Sequence, residues 1–279
     1  MGEYSPPVDQ LLTLGDCGET TQKWPDYPAL GIGPEHVPDL IRLATDRELI
    51  WADLEGLEVW APIHAWRALG QLRAEAAIEP LMRLFHELED DELSGSYDWI
   101  MEEMPEVYGL IGPAAIPALT AYLADESHGL YPRTTALNCL EKIGKEHPDT
   151  RAECVAILTR QLEQFDKNDP ELNAFLIGSL IGLKAVEVAS VIERAFVGGR
   201  VDEFIAGDWE DVQVELGLKV ARDRPRRPSP LIAPPEVLPD DFVENGHARP
   251  SSQERKAKKV KRKQAKLSRK LNRKKRKRK

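Results

Sequence analysis

What this chain does not contain narrows its chemistry first. Its 279 residues hold no HExxH, no GxGxxG, no phosphate-binding loop, no GxSxG and no EF-hand loop. The zinc-peptidase, dinucleotide, nucleotide, serine-hydrolase and calcium-sensor classes therefore lack their local signatures. Cysteine is scarce, and Cys17, Cys139 and Cys154 form no CxxC and cannot all pair, which excludes a disulfide framework. Cys139 and Cys154 fall in apolar helical stretches, where a free thiol is a small buried hydrophobe. Aromatics make up 6% of the chain, so aliphatics and alanine must fill any core, which suits close-packed helices better than a β-sandwich. No segment approaches 18 consecutive apolar residues. Met1 to Pro6 has neither the basic start nor the apolar run of a signal peptide, nor the Ser or Thr of a myristoylation site. These absences predict a soluble, cytoplasmic protein without membrane contact.

What is present is repetition. Val37–Leu43, Ile78–Leu84, Ile116–Leu123, Val155–Leu162 and Ala189–Phe196 are five versions of one cassette. Their central aliphatics Leu40, Leu81, Leu119, Leu158 and Ile192 are separated by 41, 38, 39 and 34 residues, a period typical of stacked helical repeats. Within a cassette the apolar positions recur at three- and four-residue steps, as in Ile78, Leu81, Met82 and Phe85, which puts them on one face of a helix. A single helix pair cannot bury both its apolar faces, so each repeat relies on the next. The fold class expected is all-α: a right-handed α-solenoid of about five helical hairpins, over roughly residues 35–218.

Proline and glycine punctuate it. Pro34, Pro62, Pro113 and Pro132 mark helix starts, and Gly70, Gly112 and Gly144 mark stops. Helices are predicted near 35–46, 61–70, 74–88, 98–111, 114–124, 132–145, 149–165, 171–183, 186–197 and 207–219. Residues 1–34 read as an irregular cap in which Leu11, Leu12, Trp24 and Leu30 shield the first repeat. A Pro-rich linker spans about 219–250, with seven prolines from Pro225 onward. Residues 251–279 form a basic tail expected to be disordered when free.

Charge divides the same way. The tail holds 17 of the 38 Lys and Arg and one acid, Glu254, for +16, so the net −9 leaves −25 on residues 1–250. No Lys or Arg interrupts the 49 residues between Arg83 and Arg133. Glu89, Asp90, Asp91, Glu92, Asp98, Glu102 and Glu103 therefore form a candidate acidic face for a basic protein partner, against the plainer reading of a solvated surface. In the tail, Lys258, Lys259, Lys261, Arg262, Lys263, Arg269, Lys270, Arg273, Lys274, Lys275, Arg276 and Lys277 are candidate polyanion contacts. No aromatic interleaves them, so backbone binding to RNA or ribosomes is implied, without base readout. A solubilising tail or a nuclear localisation signal would look the same.

No catalytic, cofactor-binding or metal-binding residues emerge. The one His-Glu dipeptide, His86-Glu87, falls short of the several that a di-iron site on helical repeats requires. Asp166 to Glu171 resembles a calcium loop but lacks the sixth-position glycine, and reads as a turn with an Asp or Asn cap. His64 and Trp66 fit core packing better than a ligand groove, because Ile63, Trp66 and Leu69 follow helical steps.

Ala65-Trp66-Arg67-Ala68-Leu69-Gly70-Gln71-Leu72, followed by Ala76-Ala77-Ile78-Glu79-Pro80-Leu81, resembles the HEAT-like repeats first named from phycobilisome bilin lyases. The likeness covers about 35–200. It implies an α-solenoid that binds other proteins as a scaffold or adaptor. It also implies an alternative, a bilin-lyase-like or chaperone subunit acting on a tetrapyrrole-binding protein. The basic tail is not part of the pattern.

Overall fold

The computed structural model describes residues 4–18, 23–50, 56–88 and 97–223. Among them every regular element is helical and no strand occurs. The helices are α1 (Val37–Ala44), α2 (Arg47–Ile50), α3 (Ala61–Gln71), α4 (Ile78–Met82), α5 (Tyr97–Ile111) and α6 (Ile116–Ala124). They continue with α7 (Leu130–Glu146), α8 (Arg151–Leu162), α9 (Pro170–Gly182), α10 (Ala189–Val197), α11 (Glu203–Ala206) and α12 (Trp209–Glu215). Residues 1–222 form one compact unit. Of the second, 223–279, only Asp223 is among the described residues, so the tail and the predicted linker beyond 223 lie outside them, while 219–222, expected to start the linker, belong to the compact unit.

One local device recurs. A single 3-10 turn leads directly into a helix at Pro34–His36 before α1, Glu75–Ala77 before α4, Pro113–Ala115 before α6, Pro148–Thr150 before α8 and Val186–Val188 before α10. The helix that follows carries the central aliphatic of each cassette, and Leu40, Leu81, Leu119, Leu158 and Ile192 are all fully buried. The other long helices are successive neighbours, α3 against α5, α5 against α7 and α7 against α9. Helices α6, α8 and α10 form a parallel series of contacts. The apolar stripes thus meet in one continuous core, which also takes in Val8, Leu11, Tyr27 and Ile32 from the N-terminal segment.

The predicted stops need one correction. Gly112 does lie just past α5, at φ +91°, where a side chain would be strained. Gly70 and Gly144, however, are inside α3 and α7. A Cβ on Gly70 would come within 3.3 Å of the Val107 backbone, and one on Gly144 within 2.9 Å of Leu183 and 3.2 Å of Cys154. These glycines permit close helix contact. The left-handed position after α3 is held by Arg73 (φ 50°), and after α9 by another non-glycine residue, Lys184 (φ 53°), whereas α7 runs on to Glu146. In both, the paired bonds of a Schellman motif close the helix: Arg73 N–H to Gly70 O and Ala74 N–H to Leu69 O, then Lys184 N–H to Ile181 O and Ala185 N–H to Leu180 O. A non-glycine residue is costly there, so Arg73→Gly and Lys184→Gly are each expected to raise stability by about 0.5–1 kcal/mol. Urea midpoints at constant slope check it; an unchanged or lower midpoint for both would contradict the strain.

Candidate functional site

Helix α3 presents a polar stripe, His64, Arg67 and Gln71, at steps of three and four, and the N-terminal segment is bonded along it. The His64 Nε2 lies 3.0 Å from Gly15 O, and its Nδ1 lies 2.7 Å from the Tyr27 hydroxyl. Since a carbonyl only accepts, Nε2 carries the proton and Nδ1 accepts from Tyr27. Gln71 donates to Pro25 O at 2.8 Å and accepts from the Tyr27 backbone N–H at 3.1 Å. Arg67, fully buried, donates to Cys17 O at 2.6 Å and Gly18 O at 3.3 Å. The Trp24 ring covers its guanidinium at 4.9 Å. Trp66 is core, 1% exposed, with its indole N–H on Ala44 O at 2.8 Å.

Arg67 also makes a two-pronged ion pair with Glu103, Nε to Oε2 at 2.9 Å and Nη2 to Oε1 at 2.6 Å, both side chains fully enclosed. Glu103 is therefore not part of an exposed acidic face. It shares the inner face of α5 with Ile100, Met104 and Val107, and its cation comes from 36 residues upstream, invisible to a local count of charge. Burial works against the Arg67 charge, and the Glu103 bonds outweigh it, so its pKa is raised. Glu102 is exposed on α5. Glu89, Asp90, Asp91 and Glu92, the Asp98 side chain and every candidate in the tail lie outside the described residues.

The candidate reactive groups are occupied or quenched. Cys17, Cys139 and Cys154 are all buried. Burial pushes the Cys17 thiol up to about 12, Cys154 to about 11 and Cys139 well above the usual range. Such thiols are poor nucleophiles. Burial lowers the pKa of His64, with the nearby Arg67 charge adding to the effect. The folded form thus binds fewer protons than the unfolded one below about pH 6.5, and stability from a neutral His64 is present above that pH and lost beneath it. Wild type is expected to lose stability on acidification faster than His64→Gln, by up to about 1.4 kcal/mol per pH unit. Chemical melts from pH 7 to 5 check it; identical slopes would contradict it.

A second cluster joins α6, the turn after it and the 3-10 helix Arg83–Leu88. The Tyr122 and His128 rings stack at 3.8 Å between centroids, and His86 meets His128 edge-on at 5.0 Å. Among the described residues no group of three or more His, Cys, Asp or Glu is placed to hold a metal ion. The Asp166–Glu171 stretch is the expected turn: Asp169 caps α9 by accepting from Glu171 N–H at 2.8 Å. What sequence reasoning missed is how arginines satisfy helix ends. Arg133 donates to Leu123 O in the last turn of α6, Arg151 to Leu183 O and Lys184 O past α9, and Arg200 to Phe165 O, Asp166 O and Asn168 O past α8.

The signature of one protein family, DUF1186, described as a protein of unknown function, matches residues 35–224. The chain belongs to the DUF1186 family. The DUF1186 span starts within the 3-10 turn Pro34–His36 that leads into α1, and includes the α3 stripe and Glu103. The residues that the stripe holds, Gly15, Cys17, Gly18, Pro25 and Tyr27, precede the span, and the basic tail follows it. No curated protein and no solved structure matches the chain. No single described helix is long and apolar enough to cross a membrane.

Proposed function

We propose that this DUF1186 protein is a non-enzymatic scaffold or adaptor of the cytoplasm. In this reading it is a right-handed α-solenoid of about five HEAT-like hairpins. A basic protein partner docks on its acidic surface around Glu89, Asp90, Asp91, Glu92, Asp98 and Glu102, and residues 251–279 engage RNA, ribosomes or another polyanion. The observation that carries it is the fivefold 3-10 turn and helix, each with a fully buried central aliphatic. A stack of such units offers extended surface to partners. The chemistry of the described side chains supports the same reading, since the thiols are quenched and His64, Arg67 and Glu103 are used in holding the chain together. The open groove between α7 and α9 measures about 210 Å³, below the ~300–1,000 Å³ of sites that enclose a small-molecule ligand, which disfavours the lyase alternative there.

The tail is tested by titrating an unstructured RNA with the full chain and a 1–250 truncation. The full chain is expected to bind at low salt, lose most of its affinity between about 50 and 200 mM salt, and show little sequence preference. No binding by the full chain at low salt, or equal binding by the truncation, would sink this part of the reading.

A further inference from the structure

Beyond the acidic surface proposed above, a different face of the molecule carries its own signal. Helices α7, α9, α11 and α12 frame the open groove of about 210 Å³. Its floor is α9, where Phe175 and Ile181 flank Gly178. A Cβ on Gly178 would meet nothing within 4 Å, so this glycine leaves a notch rather than relieving a clash. One wall is α11, a four-residue helix that keeps Ile205 38% exposed and, beside it, Phe204 82% exposed. Large apolar side chains held this far into water next to a concavity mark a contact surface. The short helix is fixed at both ends, by Asp202 accepting from Phe204 N–H at 2.8 Å and by Gly207 at φ +76°.

Acids outnumber bases around the groove. Residues 201–218 contain six acids and no Lys or Arg, and Glu141 and Glu215 line the groove itself. The nearest cations are already engaged: Lys145 on Glu141 at 2.5 Å, Lys219 on Glu210 at 3.3 Å and Arg222 on Asp208 at 2.7 Å, with Asp211 also bound to Arg222. The Arg222 bond holds the Asp208 carboxyl down at about 2. Glu215 is exposed and has no ion-pair partner among the described residues. We infer that this groove docks a Lys/Arg-rich amphipathic helix of a partner protein, with one leucine- or phenylalanine-sized side chain seated over Gly178 and a basic residue against Glu215. The volume suits one large side chain, and a floor carrying Phe175 and Ile181 with the Glu215 carboxylate at its rim is the complement of a helix that is apolar on one stripe and basic beside it.

The experiment uses the full chain and three fluorescent 18-residue peptides in about 150 mM salt, where long-range attraction is screened. One is Lys-rich with leucines at helical spacing, one replaces those leucines with serine, and one replaces the lysines with glutamate. The first is expected to bind at least tenfold more tightly than either other. Gly178→Leu, which fills the notch at an exposed helical position, should weaken that binding about tenfold, the loss of roughly one buried apolar side chain. Phe204→Ser should weaken it several-fold, and Glu215→Lys should do the same. Circular dichroism melts identify any variant that fails to fold, and the exposed Phe204 site decides if Gly178→Leu does. Equal binding of the leucine and serine peptides, or unchanged binding by folded Gly178→Leu and Phe204→Ser, would overturn the inference. Neither outcome depends on the surface around Glu102.

Discussion

Glu103→Ala is expected to cost about 3–5 kcal/mol, because it leaves the Arg67 guanidinium buried without its counter-charge. An arginine cannot shed its proton to escape, and the carbonyls of Cys17 and Gly18 offer only partial compensation. The reverse variant, Arg67→Met, should be penalised less as pH falls, since an orphaned Glu103 can be neutralised by protonation. The double variant Arg67→Met/Glu103→Leu should recover much of the loss, because replacing both charges removes the desolvation penalty. It should not recover all of it, because Cys17 O and Gly18 O lose their donor. Urea melts of the three variants decide the matter. A loss under about 1 kcal/mol for Glu103→Ala would mean that water reaches the pair.

Leu81→Ala and Leu119→Ala are each expected to cost about 2–5 kcal/mol. Both side chains are fully buried at the centres of α4 and α6, where truncation opens a cavity that neighbouring helices cannot refill. Losses below about 1 kcal/mol at both sites would contradict the shared core that the repeat spacing requires.

The helical pattern was legible because it depends on local spacing. Apolar steps of three and four located all the long helices to within a few residues, and five aliphatics chosen from the period alone proved fully buried. Turn chemistry was only partly legible. Asp169 caps α9 as its position suggests, but Gly70 and Gly144 read as helix stops when they serve close contact between helices; α3 is stopped at Arg73, and α7 runs on to Glu146 with His147 after it. The only way to see that would have been to continue the apolar phase of α3 through Leu72. Glu103 was misread for a different reason. Counting charge along the chain ignores partners brought in by folding, and Arg67 is on another helix. Its phase held a clue, since Glu103 falls in step with Ile100 and Val107 on the apolar face of α5. The apolar side of the N-terminal cap was legible in Leu11, Leu12, Trp24 and Leu30, but its polar bonding to α3 left no such trace, because His64, Arg67 and Gln71 bond mainly to its backbone, and backbone carbonyls have no sequence signature.

The correction at Glu103 sharpens the central test. Affinity capture from nuclease-treated cell extract should compare the wild-type chain, the 1–250 truncation and the charge reversal Asp90→Lys/Asp91→Lys/Glu102→Lys, with Glu103 left intact so that folding is preserved. The scaffold account predicts that wild type and truncation retain the same basic protein partner and that the folded reversal variant loses it. Capture of the same proteins by all three, or of none by the wild type, would contradict the account.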